Sequence, residues 1–124
     1  MVTSVGIDIV EKGRIKSAYK RFGERFLKRI LSPEEINIFT TQQHRMAFLA
    51  GRFAIKEAVI KALGEYLDER PPFNVIQVVN ENDNQLSISV PDYISSRISR
   101  VRLLVSMSQS LSNAMAMVIF EEDK

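Results

Sequence analysis

Residues 49–64, LAGRFAIKEAVIKALG, set four charged side chains, Arg52, Lys56, Glu57 and Lys61, into an apolar run at helical spacing. Leu49, Phe53, Ile55, Val59, Ile60 and Leu63 lie almost all round that helix, and a helix apolar on every side is normally buried. Charges persist in such surroundings only when paired or ligated. The run therefore reads as a site. Glu57 and Lys61 are also an i,i+4 pair in the favourable order, worth roughly 0.2–0.5 kcal/mol on an exposed helix. A second carboxylate, Asp8, follows a short apolar stretch and stands three residues before Glu11, the spacing of a capping box. It can cap a helix or belong to the same chemistry.

The elements that must position these groups are legible in outline. Residues 5–10 predict a short buried strand ending near Asp8, with a helix starting there and running through Arg14, Ile15 and Tyr19. Phe22, Phe26, Ile30 and Leu31 continue its apolar face. Ser32-Pro33-Glu34-Glu35 is a stronger start signal, with serine at the cap, proline first and glutamate third, and predicts a helix over 33–40. The central helix is expected from Met46, stopping at Gly64 in a left-handed cap. The second half changes period. Residues 75–79 form a β-branched run, 80–84 a polar turn, and 86–90 an alternating strand. A short helix is expected over 93–99, then strands over 102–108 and 114–120 around a polar loop. Helices first and hairpins after indicate one α+β domain over 1–124, an antiparallel sheet packed against a long buried central helix.

Composition bounds the function. The 124 residues are 45% hydrophobic and 26% charged, as in a soluble globular protein. No apolar run is long enough to span a bilayer, the N-terminus does not read as a signal peptide, and there is no cysteine. The expected location is cytoplasmic. The net charge of +2 identifies no partner, but its distribution is uneven. Lys12, Arg14, Lys16, Lys20, Arg21, Arg25, Lys28 and Arg29 form a basic stretch opposed by Glu24 alone. Such a stretch suits a polyanion or an acidic protein face, or is a solvated helix face. A nucleic-acid role lacks a recognition helix, a stacking-aromatic stripe or a zinc motif.

Gly6-Ile7-Asp8-Ile9-Val10, then Arg25-Phe26-x-x-Arg29-Ile30-Leu31, then residues 49–64 together resemble the short holo-[acyl-carrier-protein] synthases, which are 4'-phosphopantetheinyl transferases. The match runs in order from Gly6 to Gly64, and the second half fits by pattern through Val105-Ser106-Met107-Ser108 and Ala114-Met115-Ala116. The resemblance implies the phosphopantetheinyl transferase fold. It also implies transfer of the phosphopantetheine arm of coenzyme A to a serine of an apo carrier protein, releasing 3',5'-ADP. Asp8 and Glu57 match the family's metal positions, for Mg²⁺ or Mn²⁺. Lys61 matches a phosphate-contacting lysine, and with Asp8 and Glu57 makes the catalytic set. Arg52 matches an arginine near the nucleotide, and Lys56 takes a weak phosphate role. Gly64, Ser106 and Gln109 complete the expected coenzyme A contacts. Arg14, Arg21 and Arg25, with help from Arg45, would grip an acidic acyl carrier protein. Ile15 and Phe22 are read as core first and docking contacts second.

The resemblance also implies a homotrimer with active sites at subunit boundaries; from the apolar run lengths and the missing motifs, neither a membrane nor nucleic acid is expected as partner. Two departures stand out. Many relatives carry a histidine around 105–109, where this chain has Leu104 and Gln109; its lone histidine, His44, lies elsewhere. The family's glycine-rich continuation is replaced by Glu65-Tyr66-Leu67-Asp68-Glu69-Arg70, whose acids are expected to face solvent, away from phosphates. The alternative function is a catalytically weak member that holds carrier protein or coenzyme A.

Overall fold

In the computed structural model, which describes residues 1–81 and 85–123, one long helix lies across an antiparallel sheet. The helix, α4 (Arg45–Leu63), contacts the strands β1 (Val2–Glu11), β4 (Val101–Gln109) and β5 (Asn113–Glu122). These strands form one sheet in the order β1-β5-β4. A separate hairpin joins β2 (Gln77–Asn80) and β3 (Leu86–Ser89). The helices α1 (Lys12–Phe22), α2 (Glu24–Ile30) and α3 (Pro33–Thr41) fill the first half, and the short α5 (Asp92–Ser95) precedes β4. The α+β expectation and the central helix stand. The turn expected over 80–84 lies partly outside the described residues.

The helix approaches the sheet closely because small residues face each other. Ala54, Ala58 and Ala62 repeat at four-residue spacing and are fully buried, which puts them on one helix face. Opposite them stand Gly6, Ala114 and Ala116. At Gly6 a Cβ would lie 1.8 Å from the Ala58 carbonyl oxygen. β1 therefore touches the backbone of α4 at a point that only glycine permits. Nearby, buried Ser4 donates from its hydroxyl to the Ala62 carbonyl at 2.7 Å.

Several local expectations are corrected. β1 continues through Asp8 to Glu11, so Asp8 is a mid-strand residue and the capping box does not form; Glu11 caps α1 with no side-chain hydrogen bond. Pairing with β5 from Val5↔Ile119 to Glu11↔Asn113 outweighs the local cap. The basic helix breaks at Gly23, whose φ of 57° lies in the region that side chains avoid. Gly64 keeps right-handed geometry, φ −56°, so the left-handed cap is absent. The strand expected over 75–79 begins instead after a turn of 3₁₀ helix, Phe73–Val75. Ile15 is core, whereas Phe22 is 47% exposed.

α3 starts where Ser32-Pro33-Glu34-Glu35 signals it, with both bonds of the capping box formed. Its Glu35 is fully buried and gathers two further elements, α4 and β2. Oε1 accepts from Lys56 Nζ at 2.5 Å, and Oε2 accepts from Val78 N at 3.1 Å. Lys56 Nζ also donates to the Ile30 carbonyl at 2.7 Å. Arg52 Nε lies 3.6 Å from Glu35 Oε2, and its guanidinium sits 4.6 Å from the centre of the Phe48 ring. Desolvation pushes the Lys56 ammonium below the usual lysine value, with Glu35 opposing the shift. The expected phosphate roles of Lys56 and Arg52 are therefore corrected. Lys56 has no exposed surface and Arg52 is 5% exposed, so both pair inward with Glu35 and lock α4 to α3 and β2.

Candidate functional site

Where β1 crosses α4, two carboxylates from distant parts of the chain meet one cavity. Asp8 lies two residues along β1 from Gly6, on the same strand face. Glu57 and Lys61 are one turn apart on α4 and flank Ala58 and Ala62. Lys61 Nζ donates to Asp8 Oδ1 at 3.1 Å and to the Ile7 carbonyl at 3.0 Å. The cavity, about 610 Å³, is lined by Asp8, Glu11, Arg14, Phe53, Glu57 and Asn113 among others. The contact at Gly6 thus brings together the three residues expected to act, Asp8, Glu57 and Lys61.

A second cavity of about 610 Å³ adjoins the first and shares Ala18, Phe26, Phe53 and Glu57 with it. It is rimmed by Arg25, Arg29 and Arg70, with Phe22, Pro72 and Phe73. Here lies a contact that sequence reasoning missed: Arg70 Nη2 donates to Glu57 Oε2 at 2.5 Å. The sequence marks Arg70 only as the lone base in the connection 65–72, ahead of two prolines, which names no partner for it. The acids of that connection, Glu65, Asp68 and Glu69, are exposed as expected. Glu35, likewise missed as anything beyond a cap, organises the site from behind through Lys56, the neighbour of Glu57.

Both carboxylates are hard oxygen donors, and no group of three or more His, Cys, Asp or Glu side chains stands ready to hold a metal among the described residues. Two carboxylates suit a cation that keeps waters and takes remaining ligands from a phosphate substrate, as Mg²⁺ does. The residues present fit such an ion. They do not make a closed structural metal site.

The other expected contacts lie elsewhere on this chain. Ser106 is exposed on the sheet face opposite α4. Gln109 Nε2 donates to the Ala47 carbonyl at 3.0 Å, near the start of α4. Gly64 is exposed at the other end of α4, and it lines neither cavity. Of the basic set, Arg14 lines one cavity and Arg25 the other, while Arg21 is exposed over the Phe22 ring, 5.2 Å from its centre. Arg45 is engaged at the α3–α4 junction, donating to the Thr40 carbonyl at 2.9 Å. His44 is exposed at the start of α4.

The sheet face away from α4 is apolar and open. Its three cross-strand rows are Val5–Ile119–Leu104, Ile7–Met117–Ser106 and Ile9–Met115–Ser108. Val5, Ile7 and Ile9 are 53%, 54% and 65% exposed. No helix among the described residues is long and apolar enough to cross a membrane.

The family model of the 4'-phosphopantetheinyl transferase superfamily matches residues 4–114. The chain is 42% identical over 117 residues to the holo-[acyl-carrier-protein] synthase of Chlorobaculum tepidum, covering 94% of this chain and 97% of that one. Its fold is similar to the crystal structure of that synthase from Neisseria meningitidis, with TM-score 0.89, 31% identity, and coverage of 98% and 100% of the two chains. The Helicobacter pylori synthase, solved in complex with coenzyme A, gives TM-score 0.80 and 32% identity, with 94% and 99% covered. Sequence, fold and the meeting of β1 with α4 agree, and the chain belongs to the holo-[acyl-carrier-protein] synthase family of phosphopantetheinyl transferases.

Proposed function

We propose that this chain, as a single transferase domain, moves the 4'-phosphopantetheine group of coenzyme A onto a serine of an acidic apo acyl carrier protein, releasing 3',5'-ADP. The observation that carries the proposal is the opening of Asp8 and Glu57 on one cavity, with Lys61 paired to Asp8 at 3.1 Å. A Mg²⁺ ion held by Asp8 and Glu57, with Mn²⁺ as the other candidate, would neutralise charge on the diphosphate and orient it. Lys61, released from Asp8, contacts a phosphate oxygen and stabilises the departing ADP. The carrier's serine oxygen bonds to the pantetheine-bearing phosphorus as the bond from that phosphorus to the ADP oxygen breaks. The serine proton passes to a water or to a carboxylate of the pair. Positioning and electrostatics supply most of the rate, as in phosphoryl transfer generally.

Arg14 of α1 lines one cavity and Arg25 of α2 the other, and Arg21 lies exposed near the end of α1. This arrangement supports docking of an acidic helical partner beside Glu57, with exposed Phe22 as an apolar contact. The open sheet face supports a homotrimer. Its alternating Val, Ile, Met and Leu side chains are the kind of surface that association covers. Ser106, on that face, and Gln109, at the end of β4, would then serve the site of a neighbouring copy. Their separation from Asp8 and Glu57 on one chain supports a shared site. A cytoplasmic location follows the same reading.

Incubating the protein with Mg²⁺, coenzyme A and apo carrier protein is expected to add one phosphopantetheine to the carrier, read by mass spectrometry. Asp8→Ala and Glu57→Ala are expected to lower the rate at least a hundredfold, by about 3 kcal/mol or more of transition-state stabilisation, while the fold persists. No mass gain with the wild-type protein would favour a module that holds carrier or coenzyme A without turnover. Arg14→Glu with Arg25→Glu is expected to raise KM for the carrier roughly tenfold, and KM for coenzyme A little. Equal effects on both would contradict the docking face. Sedimentation equilibrium is expected to return three times the chain mass; a monomer at micromolar concentration would contradict the shared site.

A further inference from the structure

Each carboxylate of the candidate metal pair is held by a basic side chain. Lys61 takes Asp8 at 3.1 Å and Arg70 takes Glu57 at 2.5 Å. Two acids thus stand against two bases. Lys61 already has a place in the transfer reaction. Arg70 does not. It is the single base between Gly64 and Pro72, in a connection whose acids all face solvent.

Its backbone is anchored while its head group, paired with Glu57, is more than half exposed. Pro71 and Pro72 follow it, and a proline restricts the residue before it. Upstream, Leu67 N donates to the Leu63 carbonyl at 2.9 Å; downstream, the Asn74 side chain donates to the Lys28 carbonyl at 3.1 Å. The guanidinium lies 5.5 Å from the centre of the Phe73 ring, which packs edge-on against Phe53 at 5.0 Å. The Arg70 side chain is 56% exposed against 17% for Glu57. A rotamer change therefore moves the charge without moving the chain; Arg70 lines the second cavity, which shares Glu57 with the first.

We propose that Arg70 exchanges partners during the catalytic cycle. It holds Glu57 while the metal is absent, yields that carboxylate to the incoming cation, and then binds a phosphate group of coenzyme A. The proposal rests on Asp8 and Glu57 being the metal pair. A divalent cation and a guanidinium repel each other, so they compete for one carboxylate. Once displaced, the guanidinium offers a planar fork of donors matched to phosphate oxygens. Arg70 therefore opposes binding of the metal alone and favours binding of metal with coenzyme A. That is a positive coupling between the two ligands, equal in both directions by linkage.

The test is Arg70→Gln, with Mn²⁺ titrated by electron paramagnetic resonance without coenzyme A, and coenzyme A titrated by calorimetry at saturating Mg²⁺. Mn²⁺ alone is expected to bind more tightly and coenzyme A more weakly, each by a factor on the order of ten. Loss of an exposed ion pair leaves the fold intact, checked by the thermal unfolding curve. Mn²⁺ affinity that is unchanged or weakened, or coenzyme A affinity that is unchanged, overturns the exchange. Glu57→Gln in the otherwise native chain separates the two readings. If it fails to weaken Mn²⁺ binding, the metal pair itself is wrong and the exchange falls with it. If it weakens Mn²⁺ while Arg70→Gln is silent, the metal pair stands and only the exchange is lost.

Discussion

The site depends on the contact between Gly6 of β1 and Ala58 of α4. A strand and a helix normally keep side chains between them. Here the backbone of one lies on the backbone of the other, and a single added carbon at position 6 would lie 1.8 Å from a carbonyl oxygen. That closeness lets the short carboxylate of Asp8 and the longer one of Glu57 reach the same cavity, with Lys61 bridging back to β1. The glycine is therefore part of the chemistry, although it carries no functional group.

A second constraint acts from behind the helix. The Glu35–Lys56–Arg52 group ties α4 to α3 and β2 in a region closed to solvent. Such a group adds little net stability compared with an apolar replacement. Removing one partner strands a charge, at a cost of about 3–5 kcal/mol. Its value is geometric, because Lys56 and Glu57 are adjacent on one helix and point to opposite environments. The inward residue fixes the rotation of α4, and the outward residue takes the resulting aim.

Much of this was legible in the chain. The central helix, the start of α3 and the strands β4 and β5 follow from periodicity and capping chemistry, which are local. Asp8, Glu57 and Lys61 were singled out through the resemblance, and the fold brings Asp8 to Lys61 and opens Asp8 and Glu57 on one cavity. What sequence could not supply was partnership across distance. Glu35 looks like an ordinary exposed capping residue until Lys56, 21 residues away, and Val78, 43 residues away, close over it. The same ignorance made Lys56 and Arg52 look like phosphate ligands. Asp8 reads locally as a cap, yet sheet pairing with β5 carries β1 past it. Arg70 sits in a connection without periodicity, so nothing local aims it at Glu57.

The measurement closest to the centre of this account is an anomalous difference map from crystals grown with Mn²⁺ and coenzyme A. A single cation peak is expected between β1 and α4, with one oxygen each from Asp8 and Glu57 at about 2.1 Å. A cation bound away from either carboxylate, with coenzyme A well ordered, would contradict it.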